Sequence, residues 1–472
     1  MVLTTWRGSL PLRRGTRGAA ALLLASVGPC SATSAQAAPD DQHDDHYLAI
    51  HSETRADLFR RAALPGPAGA IISTDTLLPV RETVLLRAQD LDTPVGRDSA
   101  DFEVSGWGLV VAPESAPARS PDGDVQTAYL RIHRGPYSLR LGRQLITGGA
   151  ARYARFDGLA ADAAFGPGFE VLAYGGYTAL PRWNARPAYY NLGASSDVAL
   201  RDPSGLPPSG RSGYALGGAR IGWSSPKVGA QVSFHEQRDA GELAHRSLGA
   251  DAQVRPFDRL SLFGDAILEL DARRLSDARA WVDAPLVRQV DLTLEYRHTE
   301  PALLLSRTSV LSVFSTSAYD ETGATALVSP LERLSFDLNG FLQLYDGSRP
   351  GGRSELAGRL GLDGDKRMFL RISYARLLAP DNGYHSVRAS FSDRLLPNLT
   401  GTLEAYLYAY DHLVRGYRTS SVFAGTLAYR PDRAVGVMLA GSIAETPYAK
   451  LDAQTLLQVT CDFDLSGRRR TD

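Results

Sequence analysis

From about residue 82 to residue 463 the chain alternates apolar and polar residues in stretch after stretch, and nothing else in the sequence constrains its fold so strongly. In Val290 to Arg297, Val290, Leu292, Leu294 and Tyr296 alternate with Asp291, Thr293, Glu295 and Arg297. Leu260 to Asp271, Lys227 to His235, Leu334 to Tyr345, Met368 to Ala375 and Leu399 to Tyr410 follow the same scheme. A period of two belongs to a strand whose faces meet different surroundings. About 21 such stretches follow one another with no helical period between them, more than a single soluble sandwich carries. Each runs about 9 to 13 residues, enough for a tilted crossing of the hydrocarbon layer.

The connections alternate as well. Tight ones fall at Gly135-Pro136, Gly166-Pro167, Ser225-Pro226, Pro256 to Asp258, Pro285, Pro330, Asp363 to Asp365, Leu395 to Asn398 and Pro431-Asp432. Longer ones fall at Ala112 to Gly123, Thr178 to Ser212, Gln237 to His245, Thr299 to Ala318, Asp346 to Gly352 and Leu377 to Gly383, with Asp271 to Arg274 short where the scheme asks for length. Transmembrane barrels have short periplasmic turns and longer outer loops. On that scheme Thr83 to Leu91 runs inward and needs one earlier outward strand, Thr54 to Leu64, with Pro65 to Arg81 as the loop between them. The expectation is an all-β, transmembrane, antiparallel up-and-down barrel of about 22 strands, within a range of about 18 to 22, and no plug domain.

The first residues are of a different kind. Arg7, Arg13, Arg14 and Arg17 precede the apolar run Ala19 to Val27 and the small residues Ser34-Ala35-Gln36-Ala37-Ala38. A basic start, a short apolar stretch and an Ala-x-Ala end make a secretory signal. The expected organisation is a Sec signal peptide over residues 1–38, an acidic tail over 39–52, the barrel over 53–465 and a C-terminal tail over 466–472. Without the signal peptide the chain is mildly acidic, which gives no support for nucleic-acid binding. Only Cys461 then remains, so neither an intrachain disulfide nor a cysteine-type zinc site is expected.

Tyr137 to Gln144 reads Tyr-Ser-Leu-Arg-Leu-Gly-Arg-Gln, and Phe156-Asp157-Gly158 follows. The pair resembles the "L-R-x-G-R-Q … F-D-G" hairpin of porin-like outer-membrane proteins, including alginate-export-type porins. The match covers about 25 residues and implies a channel fold, not a solute. Phe463 in the last strand resembles the near-terminal aromatic of outer-membrane proteins, which points to the outer-membrane assembly machinery as a partner beside outer-membrane lipid itself.

If the apolar faces meet lipid, the opposite faces line the lumen. They carry Arg131, Arg140, Arg255, Asp265, Glu269, Glu295, Arg297, Arg371 and Glu404. Such mixed charges either pair across strands to stiffen the wall or tune the selectivity of a water-filled passage. Arg131 and Arg140 stand symmetrically about the Gly135-Pro136 turn, so they should face each other, with Glu103 on the preceding strand as the balancing acid. The long connection Thr178 to Ser212 offers Arg182, Trp183, Arg186, Tyr189 and Tyr190 as a constriction, or as an outward surface loop. His43 and His46 lie in an acidic run that reads as a solvated tail, and no metal site or cofactor is expected. No nucleophile elbow, zincin or P-loop motif accompanies the scattered histidines, so an enzyme is not expected. Two functions fit: a channel for small solutes or oligosaccharides, and a non-conducting surface barrel acting through its loops.

Overall fold

The computed structural model of the protein describes residues 47–464 except 64–72, 93–97, 113–120, 180–213, 240, 258, 301–317, 365–366, 381, 415 and 448. The first half of the wall is β1 (Tyr47–Ala63), β2 (Ser73–Asp92), β3 (Ser99–Ala112), β4 (Asp122–Arg134), β5 (Tyr137–Thr147), β6 (Tyr153–Phe165), β7 (Phe169–Thr178), β8 (Ala215–Ser224), β9 (Val228–Asp239), β10 (Glu242–Phe257) and β11 (Leu260–Glu269). The second half is β12 (Arg274–Val287), β13 (Val290–Thr299), β14 (Tyr319–Leu331), β15 (Leu334–Tyr345), β16 (Arg349–Gly361), β17 (Met368–Leu378), β18 (Tyr384–Leu396), β19 (Leu399–Val414), β20 (Tyr417–Tyr429), β21 (Val435–Thr446) and β22 (Ala449–Asp464). Every strand pairs antiparallel with the next, and β22 returns to β1 with Ile50 opposite Phe463 and Ala62 opposite Leu451. Closure leaves no sheet edge exposed, the condition for a sheet to live in lipid.

Alternation now takes a direction. Leu342 is 71% exposed, Leu403 64% and Leu141 58%, and the neighbouring positions two residues away on each strand share that face. A band of large exposed apolar side chains around the whole ring is the lipid face of a transmembrane barrel. Aromatics mark its margins. Tyr137, Phe165 and Phe169 stand exposed by the Gly135-Pro136 end, Tyr137 and Phe165 packing edge to face at 6.1 Å, while Tyr177 and Tyr296 stand toward the other end. Such rings prefer the boundary between hydrocarbon and water.

The expected strand number is the observed one, and the differences lie in the boundaries. Strand β1 begins at Tyr47, so residues 47–52 belong to the wall and not to an acidic tail, and β2 begins at Ser73, inside the stretch expected as the first loop. Pro285 and Pro330 sit inside β12 and β14, and the turns come later, at 288–289 and 332–333. Proline lacks a donor but still accepts at the end of a strand, so it does not mark the turn itself. Gln237 to His245 and Asp346 to Gly352 are strand for most of their length, since pairing continues past the apolar band where polar partners such as Glu236 and Arg246, 3.0 Å apart, replace lipid contacts.

Candidate functional site in the barrel lumen

One hairpin leaves the wall. Pairing between β4 and β5 ends at Ala128 opposite Arg143, while β5 and β6 stay paired as far as Thr147 opposite Tyr153. Beyond the branch the β5–β6 hairpin leans away from β4. Gly142 marks the branch: its φ is 123°, and a Cβ there would lie 2.2 Å from the Ala128 carbonyl oxygen. Only glycine tolerates both conditions.

The hairpin is held from two sides. Within the hairpin Arg143 donates to Asp157 at 2.6 and 2.9 Å; toward β4 it reaches the Val125 carbonyl at 3.1 Å and Arg155 donates to Asp124 at 2.6 Å, while Arg155 also donates to the Ala179 carbonyl at 2.9 Å. The side chains of Arg155 and Asp124 are only 4% and 8% exposed. On the opposite side Phe156 is fully buried against Tyr174, with ring centroids 5.7 Å apart, among Ile146, Ala154, Ala160 and Leu216. The motif noted in the sequence thus pairs with itself: Gly142 faces Gly158, Arg143 faces Asp157 and Gln144 faces Phe156.

The tip of the hairpin, a single 3-10 turn at Gly149–Ala151, rests on the concave face of β9 to β12. The Ala150 N–H donates to Ser233 Oγ at 2.8 Å, and Ser247 Oγ donates to the Ala150 carbonyl at 3.1 Å. Arg220 reaches the Thr147 carbonyl at 2.8 Å, and Arg152 reaches Ser276 Oγ at 2.5 Å and Glu269 at 3.5 Å. Arg152 takes a φ of 50° with ψ −66°, a sparsely populated conformation costing a non-glycine residue about 1 to 3 kcal/mol and here tied down by those contacts. Beneath the tip lies Gly249, where a Cβ would come within 2.6 Å of the Ala150 nitrogen.

Beside the tip is a cavity of about 870 Å³, reached by Arg87, Glu103 and Arg140 from one wall and by Asp251, Asp265 and Arg279 from the other. These residues therefore face the lumen. The register sets Gln231, Asp251, Asp265, Arg279, Arg297 and Glu321 in one row across six strands. It brings like charges directly opposite each other, Asp251 with Asp265 and Arg279 with Arg297, an arrangement that repels unless balanced. Balance comes from the sides: Gln231 donates to Asp251 at 2.5 Å, Arg279 lies 3.2 Å from Asp265, and Asp277 lies 4.0 Å from both arginines.

Arg131 and Arg140 are paired directly across β4 and β5, as expected, but the balancing acid is different. It is Asp162 on β6, 3.6 Å from Arg131 and 3.9 Å from Arg140. Glu103 is engaged elsewhere, by Arg87 at 2.8 Å and by Thr127 and Tyr129. The acids of the preceding strand face the same side but are taken, Glu103 by Arg87 and Asp101 by His133, which leaves Asp162 of the following strand to balance the pair.

The other residues singled out by sequence stand on the same face but do not converge. Glu269 is buried under the hairpin tip, and Glu295 sits between Trp281 and Gly323 in register. Arg255 stands beside the Gln253 amide, and Arg371 lies 3.4 Å from Asp337 and 3.7 Å from Glu355. Arg388 reaches Glu404 at 2.6 Å. Arg182, Trp183, Arg186, Tyr189 and Tyr190 lie outside the described residues, as do His43 and His46. Among the described residues no group of three or more His, Cys, Asp or Glu could hold a metal ion. The inward element that sequence reading missed is the five-residue connection 148–152, with Arg152 and Arg220. Its one signal is the run Gly148-Gly149-Ala150-Ala151, small enough to lie flat on a wall of serines.

No family model matches the chain, and no curated protein does. Among solved structures it is similar to the P pilus usher PapC translocation pore, with 9% identity, a TM-score of 0.44, and 88% of this chain and 99% of that one covered. It is likewise similar to the outer membrane protein OpdK of Pseudomonas aeruginosa, with 12% identity, a TM-score of 0.41, and 88% and 98% covered. For OccAB4 of Acinetobacter baumannii the values are 8%, 0.42, and 89% and 98%. Likeness of this degree carries no residue role across, and the reading of the site rests on its own geometry.

Proposed function

We propose that the protein is a porin-type channel of a Gram-negative outer membrane, exported through the Sec route and cleaved near residue 38, which lets small hydrophilic solutes cross. The observation that carries this reading is the lumenal cavity of about 870 Å³, bounded by charged side chains from both walls and narrowed by a tied-down hairpin. A wall built only for stiffness gains little from a fixed constriction, whereas a selective passage requires one. The short-turn end faces the periplasm on this reading, so a tag at Gly241 is reached from outside intact cells and a tag at Gly364 is not. The decisive experiment is single-channel recording of the purified protein in planar bilayers. Discrete conductance steps support the channel, and a folded but silent barrel assigns the protein to a surface role instead.

A further inference from the structure

Half the ring away from the hairpin, the inner wall changes chemistry. Along β19 the lumenal positions read Glu404, Tyr406, Tyr408 and Tyr410, and on β18 Tyr384, Ser386 and Arg388 stand opposite Tyr410, Tyr408 and Tyr406. The rings of Tyr384 and Tyr408 meet edge to face at 5.6 Å. Tyr410 shares a hydrogen bond of 2.9 Å with Ser420, Tyr406 donates to Glu404 at 2.9 Å, and the Arg388 guanidinium lies 4.7 Å over the Tyr406 ring.

Around these rings the wall is low. Their inner-face neighbours are Ser373 and Ala375 on β17 and Ser420, Val422 and Ala424 on β20. Ser420 faces the lumen yet is only 6% exposed, because Tyr410 lies over it. Tyr406 and Tyr410 therefore have their hydroxyls anchored to neighbours on the wall, and Tyr406, Tyr408 and Tyr410 all stay partly exposed on the lumenal face.

We infer that β18 and β19 form a carbohydrate track, on which a neutral oligosaccharide stacks its pyranose rings against Tyr406, Tyr408 and Tyr410 as it passes. The inference rests on the channel reading for its role in transport, but not for binding. An aromatic face carries negative quadrupolar charge and attracts the polarised C–H face of a sugar. Successive inner positions lie about 7 Å apart along a strand and, at a tilt of about 40°, about 5 Å apart along the barrel axis, an advance of one pyranose ring per tyrosine. Sugar hydroxyls find Glu404 as acceptor and Arg388 as donor. Arg388 and Glu404 already meet at 2.6 Å, and their side chains keep 33% and 20% exposure. An anionic solute would instead favour the arginines beside the hairpin.

Two measurements on the full-length barrel test this. Titration calorimetry of the detergent-solubilised protein with maltohexaose and with cellohexaose is expected to show binding of at least one. Tyr408→Ala should weaken it about two- to tenfold and Tyr408→Phe much less, as stacking and not the hydroxyl carries the contact. Heat-modifiable gel mobility confirms that each variant is folded, and Tyr406→Ala serves if Tyr408→Ala is not. Binding of neither sugar by the folded wild type, or equal binding by the alanine variants, overturns the track. Planar bilayers separate the two readings: a barrel that conducts but is not blocked by either sugar overturns the track alone. A silent barrel that still binds sugar in a tyrosine-dependent way supports the track and overturns the channel.

Discussion

The lumen has two unlike sectors. Between β5 and β12 a hairpin folds onto the wall and its ionic groups are mutually engaged, with Arg155 and Asp124 almost wholly buried. Between β17 and β20 no described connection covers the wall, the Arg388 and Glu404 side chains are 33% and 20% exposed, and tyrosine rings lie over small residues. The same β alternation produces both, so the difference comes from what covers the wall. Where the hairpin docks, charge is committed to holding it; between β17 and β20, where no described connection does, the partly exposed polar and aromatic groups are placed to meet a passing solute.

The largest effect is expected where burial is deepest. Arg155→Ala leaves Asp124 without its main cation in a dry site, and losing one partner of a buried pair costs about 3 to 5 kcal/mol. The midpoint of urea unfolding in detergent should fall accordingly. An unchanged midpoint would mean that the hairpin contributes nothing to stability and the two sectors are equivalent.

Next comes the docking surface. Gly249→Val places a side chain where the Ala150 nitrogen lies 2.6 Å away, and overpacking of this kind costs about 1 to 3 kcal/mol. Relief comes most easily by lifting the tip. Conductance should rise, and trypsin should cut at Arg152 faster than in the wild type. Unaltered conductance with a demonstrably displaced tip would show that the hairpin is not the constriction.

A smaller change is expected from neutralising the facing arginines. Arg131→Gln with Arg140→Gln leaves Asp162 the local charge, so the reversal potential in a salt gradient should shift toward cations while the barrel still folds. Unchanged selectivity in a folded channel would place the pair among wall supports. Arg388→Ala should cost less stability than Arg155→Ala, because its ion pair with Glu404 is only partly buried whereas that of Arg155 with Asp124 is almost wholly so. A loss as large as that of Arg155→Ala would erase the distinction between the sectors.

The alternation in the sequence determined the fold class and the face of nearly every residue between Val290 and Arg297, because a period of two admits only two orientations, and the scheme of short and long connections added the strand that brought the number to 22. It also placed Arg131 opposite Arg140, since a two-residue turn fixes the register around it. The constriction was not legible in this way. Sequence reading looked for it in the longest connection, Thr178 to Ser212, whereas the described inward element is the short connection 148–152.

The physical reason is that strand identity is local and lumen geometry is not. Whether Tyr408 faces inward follows from its own strand. That it shares an open sector with Tyr384 and Arg388, while Ser233, Ser247 and Gly249 receive a hairpin launched from Gly142, depends on ring closure and on which wall lies within reach. Contacts between residues about 80 to 120 positions apart, such as Arg152 with Ser276, leave no periodicity in the sequence and exist only once the barrel is closed.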